Sequence, residues 1–444
     1  MILQQEGSQQ DGEPGNQDDI MRICDLTTLY IDGGAGGVNT YLLEKARYLA
    51  DYDGVTNHTI IVPGARHAKQ SLFGSTLYTI KSPRFFYNPH HRILTNYQQV
   101  KQLLRSVQPD LIEVDCSYLL GRWAQAAMGK RHVPLVGFYH THLPSFYARP
   151  LTQRFGNAVA QMAETCAWRY IAYCMAPLDK VLVASQDIYA RLLTRLETKV
   201  EQVPLGVNMD LFAPRTPQSS AAGKERPIIL YVGRLSQEKD LMILFEAFRI
   251  LNRRGTYQLC IVGDGPLRLQ TERFVRTTAH TVYAGIIPYG ERLAEIYATA
   301  DVLALPSRNE TFGLTILEAL ASGLPVVAIN QGGPTDLLHA RVGALATPGD
   351  PVDFADKLAR VLLDTSLAEQ CRTYVAEHFS WDKTFLRLLT IYDNLLSRGT
   401  KASSPSSSPT CQAQITAPSS PGGNHGYRRR NPGNHNCETP RDNV

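Results

Sequence analysis

Residues 228–265 read IILYVGRLSQEKDLMILFEAFRILNRRGTYQLCIVGDG, and this stretch decides the fold. A short run of β-branched and aromatic residues leads through a polar turn into DLMILFEAFRILNRR, where apolar residues recur at helical spacing, and then into a second short apolar run. Strand, helix and strand in that order make a βαβ unit, whose crossover leaves the two strands parallel. Neither run alternates in polarity, as expected of strands covered on both faces.

The same form extends in both directions. Downstream come TVYAGII, DVLALPS and LPVVAIN, and upstream MRICDLTTLY, NHTIIVPG, PDLIEVD, VPLVGFYH and DKVLVAS, most of them followed by a helical stretch. Two α/β domains are predicted, each a Rossmann-like doubly wound sheet, over residues 21–206 and 227–375. A linker at 207–226 joins them, and a C-terminal helix is expected at 376–398. That last apolar stretch, WDKTFLRLLTIYDNLLS, either completes the second domain or packs back across the first. Residues 1–20 and 399–444 are rich in Ser, Pro, Gly, Gln and Asn, a composition expected to stay disordered. A length of 444 residues suits two such domains.

Composition narrows the function classes. Apolar residues make up 43% and charged residues 19%, the balance of a soluble globular protein. A net charge of +4 gives no argument for nucleic acid as a partner. The eight cysteines show no C-x-x-C pair, so they are read as reduced thiols rather than a zinc site or a disulfide framework. The polar start lacks a secretory signal, and there is no uninterrupted apolar stretch of about 18 residues. A cytoplasmic protein is expected, with peripheral contact to an anionic membrane surface through the basic stretches HHRIL and GKRHV.

Ligands of open α/β sheets lie beyond the carboxyl ends of the strands. After the first strand stands DGGAGGVNTYLLEKARYLA, where glycines 33, 34, 36 and 37 let the backbone approach an anion at a helix N-terminus. Neither G-x-G-x-x-G nor G-x-x-x-x-G-K-[ST] occurs, which disfavours NAD and P-loop ATP. After VPLVGF come His140 and His142, and a histidine there can donate to a sugar hydroxyl or to a transferring oxygen. The histidine pair has no third ligand at sensible spacing, so neither a metal nor a cofactor is expected. Arg234 and Lys239 follow IILYVG and are suited to neutralise a leaving diphosphate. Glu310 and Glu318 are separated by seven residues across a strand-to-helix turn, with Glu310 facing a sugar and Glu318, about two turns into the helix, a ribose. A solvated basic pair and a plain helix-surface glutamate are the ordinary readings of the same residues.

Taken together, GGAGGVNTY, FYHTHLP, DKVLVAS, VPLGVNMDLFAP, YVGRLSQEKD, LCIVGDGP, DVLALPSRNETFGLTILEALASGLPVVA and GGPTDLL, in that order, resemble the retaining glycosyltransferases of family 4, which have the GT-B fold. The resemblance implies that Gly36 and Gly37 approach the donor phosphates, that His140 lies near the donor hexose and that Arg234 and Lys239 bind the diphosphate. It implies further that Glu310 and Glu318 are the acids of an E-x7-E motif, that the amides of Phe312, Gly313 and Leu314 hold hexose and phosphate, and that Ile287 meets the base through its backbone. His140, Arg234, Lys239 and Glu310 are the implied catalytic set. The implied reaction is metal-independent hexosyl transfer with retention, from a nucleotide-diphosphate sugar such as GDP-mannose or a UDP-hexose to a lipid or glycan acceptor. Two other readings share the scaffold: a sugar-nucleotide epimerase, and a nucleotide-sugar-binding regulator without chemistry.

Overall fold

A computed structural model describes residues 21–402, apart from 29, 31–35, 53–54, 86–87, 116–118, 141, 143, 145–151, 153–154, 197–198 and 215–225. The expected tails, most of the linker, and Gly33 and Gly34 therefore lie outside the described residues or largely so.

The first sheet contains β1 (Met21–Leu26), β2 (Val55–Gly64), β3 (Ala68–Leu72) and β4 (Ser75–Lys81). After a small hairpin, β5 (Arg84–Phe85) and β6 (Asn88–Arg92), it gains β7 (Leu111–Val114), β8 (Leu135–Phe138), β9 (Lys180–Val183) and β10 (Val200–Gln202). Its order is β10-β9-β8-β7-β1-β2-β4-β3, parallel except where β3 runs against β4. The second sheet contains β11 (Ile228–Val232), β12 (Gln258–Val262), β13 (Thr281–Gly285), β14 (Val302–Leu305), β15 (Val326–Ile329) and β16 (Gly343–Ala346), ordered β13-β12-β11-β14-β15-β16. Counted from β11, that is the 3-2-1-4-5-6 order of a doubly wound sheet.

Strand order reverses between β1 and β7 in one sheet and between β11 and β14 in the other. Crevices therefore open beyond the carboxyl ends of these strands. Helix α1 (Gly37–Ala50) starts in the first crevice, behind an N-cap Gly36 at φ 105° that has no side chain to cap the helix. A helix over Leu314–Ala321 starts in the second, again behind a glycine, Gly313, at φ 107°.

The C-terminal helix spans Trp381–Ala402 rather than 376–398, because residues up to His378 belong to a preceding helix. The ambiguity over where it packs resolves toward the first sheet. Val207 bridges to Ser380, Thr384 Oγ1 donates to the Pro204 carbonyl at 2.9 Å, and Arg387 meets Glu201 at 3.2 Å. At the crossing point a Cβ on Gly206 would stand 2.3 Å from the Trp381 nitrogen, so only glycine fits. One buried apolar cluster runs from Ile23, Tyr41 and Phe138 through Trp381, Phe385 and Tyr392 to Leu230, Leu303 and Ile316.

Candidate functional site

The second sheet supplies the exposed chemistry. Beyond β11 the chain turns through a short 3-10 helix, Gln237–Lys239, and Lys239 forms an ion pair with Glu310 from the loop after β14. Both side chains are only 13% exposed, so this is a half-sheltered pair in a crevice. Arg234 lies on the same loop as Lys239, its Nε 3.7 Å from Glu238 Oε1, while Tyr231 donates to its carbonyl at 2.9 Å. The turn bearing Glu310 is pressed against Gly332 and Gly333, whose backbone leaves no room for a Cβ: on Gly333 it would fall 2.5 Å from the Phe312 carbonyl oxygen. The Gly333 N–H donates to the Glu310 carbonyl at 2.9 Å. That packing fixes Glu310 and the start of the following helix as one unit.

Glu318 sits differently from expectation. Its helix begins at Leu314, so it stands just over one turn in rather than two, and it is only 6% exposed. The Tyr297 hydroxyl donates to its Oε2 at 2.7 Å, and burial raises its carboxyl to about 7. No hydrogen bond among the described residues joins it to Lys239 or Glu310. Phe312 buries its ring edge-on to Phe379, 6.3 Å between centroids, which leaves its backbone as the part able to face a ligand. Ile287 is partly buried against the central core.

The first sheet meets this unit closely. A Cβ on Gly37 would be 3.4 Å from Leu314 Cδ1, so the N-termini of α1 and of the helix at 314–321 approach each other. Thr311 Oγ1 donates to the His140 carbonyl at 3.0 Å. Farther along, the Tyr289 hydroxyl donates to Glu44 Oε1 at 3.0 Å, and Gln186 N to Asp336 Oδ2 at 2.6 Å. His140 itself is stacked on Phe138, with centroids 4.4 Å apart and planes 6° from parallel, and burial together with the Lys45 charge lowers its pKa to about 3. His142 does not join it. Its Nδ1 lies 3.0 Å from the Tyr139 hydroxyl, its ring stands edge-on to Trp168 at 5.0 Å, and burial keeps it neutral as well.

Beneath His140 lies a buried network absent from the sequence reading. Lys45 Nζ, from α1, donates to Asp25 at 2.7 Å, to Glu113 at 3.1 Å and to the Tyr392 hydroxyl at 2.9 Å. Glu113 also accepts from Tyr41 at 2.7 Å and from Tyr392, while Asp25 is held by His58 at 2.8 Å. Burial opposes the Asp25 charge, but Lys45 and His58 hold its pKa below the usual range. For Asp115 the balance goes the other way: burial, then the neighbouring Glu113 and Asp25, raise its pKa well above the carboxylate range despite the Lys45 charge. Asp25, Glu113 and Asp115 offer oxygens within 4.8 Å of one another, as metal ligands would, yet the Lys45 ammonium already bonds two of them. The visible signal was a charged residue inside an otherwise apolar strand, in RICDLT and again in LIEVD.

Comparison with known proteins agrees with this architecture. The family model described as Glycosyltransferase Family 4 matches residues 35–255, and that of Glycosyl transferases group 1 matches residues 213–378. The chain is 32% identical to a sulfoquinovosyl transferase of Arabidopsis thaliana over 59% of its own length and 51% of the plant protein, so it spans about half of that relative. It is 29% identical to a GDP-mannose-dependent α-(1-6)-phosphatidylinositol dimannoside mannosyltransferase of Mycobacterium tuberculosis, across 83% of this chain and 95% of the other. Its fold matches that of sucrose-phosphate synthase from Thermosynechococcus elongatus with a TM-score of 0.68 at 23% identity, covering 85% of this chain and all of that one. Two overlapping family matches and a shared two-sheet fold lead to one conclusion: the chain belongs to the group 1, family 4 glycosyltransferases, with the GT-B fold.

Proposed function

We propose that the protein moves a hexose from a nucleoside-diphosphate sugar to a lipid or glycan acceptor, retaining the anomeric configuration and using no metal. One observation carries this reading: Lys239 pairs with Glu310 on the loop leading into the helix at Leu314, whose uncapped N-terminus approaches that of α1 at Gly37. Helix N-termini favour anions, and a lysine and an arginine beside them suit a diphosphate.

In this reading Arg234, Lys239 and the amides near Gly37 and Leu314 stabilise negative charge on the departing diphosphate. The bond from the anomeric carbon to the phosphate oxygen breaks, and the acceptor oxygen bonds that carbon on the same face. The acceptor proton passes to the departing phosphate oxygen. Glu310 releases Lys239 to the diphosphate and takes hydroxyls of the hexose, Glu318 takes those of the ribose, and the backbone at Ile287 takes the base. GDP-mannose and sulfoquinovose donors are the first to try, since relatives are named for them.

A lipid acceptor would bring the protein to an anionic membrane surface on the cytoplasmic side. Among the described residues no helix is long and apolar enough to cross a membrane. Support for surface contact rests on Lys130, Arg131 and His132, which are exposed, although Arg131 also pairs with Asp110 at 3.0 Å. Flotation with vesicles containing anionic lipid checks this, and protein remaining at the bottom of the gradient removes it.

The reaction is tested by incubating the protein with GDP-mannose and UDP-hexoses, with and without a polar lipid extract, and determining the product anomer by NMR. Acceptor-dependent product with the donor's anomeric configuration is expected. An inverted anomer refutes retention, and epimerised donor formed without acceptor points to an isomerase instead.

A further inference from the structure

Tyr297 lies in the helix Glu291–Thr299 with its side chain fully buried, and its hydroxyl donates to Glu318 Oε2 at 2.7 Å. Its ring is held in place by Phe212, edge-on, with centroids 5.6 Å apart and planes at 84°. The other Glu318 oxygen is placed differently. Among the described residues no donor reaches Oε1, yet it is not sealed in: the buried, unpartnered polar side-chain atoms among those residues belong to Asp115, His142, Asn252 and Trp381. Oε1 therefore meets solvent-accessible space.

Glu113, buried under the first sheet, shows how a carboxylate placed for structure is arranged. Its Oε1 accepts from Tyr41 and Lys45 and its Oε2 from Tyr392, so the fold matches both oxygens. Glu318 has one oxygen matched and one left open. Satisfying the Tyr297 hydroxyl does not require a carboxylate, since a neutral acceptor would do so without the cost of burying a charge. The open oxygen is what the carboxylate adds, and a charged acceptor with one oxygen bound to the fold and the other open suits a ligand hydroxyl.

We propose that Tyr297 is a positioning residue for Glu318: its hydroxyl pins Oε2 and so aims Oε1 at the hydroxyls of the donor's ribose. The inference rests on the proposed ribose contact of Glu318 and adds what makes that contact directional. The terminal torsion of a glutamate is broad, so an unpinned carboxylate swings among many orientations. A buried phenol on a neighbouring helix, itself locked by Phe212, removes that freedom beforehand, so binding has less ordering left to do. Phe212 also meets the ring of Tyr289 at 5.6 Å, two residues beyond Ile287, so one aromatic group braces the proposed ribose and base contacts together.

The test measures, by calorimetry, the affinities of GDP, UDP and their 2′,3′-dideoxy forms for full-length wild type, Tyr297→Phe, Glu318→Ala and the double variant. For whichever base binds, wild type should prefer the ribose form at least about thirtyfold, from two charge-assisted hydrogen bonds. Tyr297→Phe should weaken the ribose form about tenfold and leave the dideoxy form within about twofold, which also shows that the site is still folded. In Glu318→Ala the preference should fall to about threefold or less, and adding Tyr297→Phe should change it no further. Equal weakening of both forms by Tyr297→Phe marks Tyr297 as a packing residue and overturns the proposal. A preference lost in Glu318→Ala but kept in Tyr297→Phe overturns it too, while the ribose contact of Glu318 stands. A preference kept in Glu318→Ala removes the ribose contact and the proposal with it. Should neither nucleotide bind wild type, the transferase reading itself falls, and the proposal falls with it.

Discussion

The two sheets handle charge in opposite ways. Under the first, Lys45, Asp25, Glu113 and His58 are withdrawn from water, and each is matched by a partner on another element. At the mouth of the second, Lys239 pairs with Glu310 and Arg234 lies beside Glu238, and all keep part of their surface exposed to the crevice. Charges buried and paired from several elements hold a structure together. Charges left part-exposed at a crevice mouth are available to a ligand. Glu318 crosses this division, because it lies on the second sheet's side yet is buried, with the Tyr297 hydroxyl donating to it.

The contrast can be broken most forcefully at Lys45. Lys45→Met removes the cation between Asp25 and Glu113 and should destabilise the fold by about 3–5 kcal/mol, read from urea unfolding. A loss below about 1 kcal/mol would mean that the network does not hold the first domain. Lys239→Ala is the counterpart in the crevice. It should lower transfer about 100- to 1000-fold while unfolding stability moves by less than about 1 kcal/mol, since its pair is partly exposed.

Glu318 gives a pH-dependent version of the same comparison. Burial lifts its carboxyl from an ordinary 4.5 to about 7, so the folded protein holds this proton more tightly than the unfolded chain. Its stabilising contribution is complete below pH 4.5 and is lost as the pH rises through 7. Glu318→Gln should therefore raise stability at pH 8 by up to about 3 kcal/mol relative to wild type and by almost nothing at pH 4.5, measured by thermal unfolding. The same variant should weaken donor binding, a gain in stability at a functional position. A smaller effect is expected at the contact between the domains: Tyr289→Phe removes the hydroxyl bonded to Glu44 and should cost about 0.5–1.5 kcal/mol.

Most of the scaffold was legible because strands buried on both faces are continuous apolar runs, as in IILYV and VVAI. Edge and small-residue strands were not. AKQSL lies exposed at the margin of the first sheet, and GALA at β16 lacks the β-branched side chains that mark a strand, so only their neighbours define them. In the crevice, Lys239 and Glu310 could be found because each follows a strand directly and the fold places strand ends together. Tyr297 could not be tied to Glu318, nor Tyr392 to Lys45, because those pairings depend on how helices pack rather than on spacing along the chain. Asp25 and Glu113 did leave a trace, as charges inside apolar strands, and a buried charge in such a place implies a partner from elsewhere.

Calorimetric titration of GDP and UDP into wild type and Lys239→Ala tests most directly whether the crevice of the second sheet binds a diphosphate. One of the two nucleotides should bind wild type, with affinity at least about tenfold weaker in the variant, as expected for a lost charge-assisted contact. Equal affinity in both proteins, or no heat from either nucleotide in wild type, would contradict the assignment.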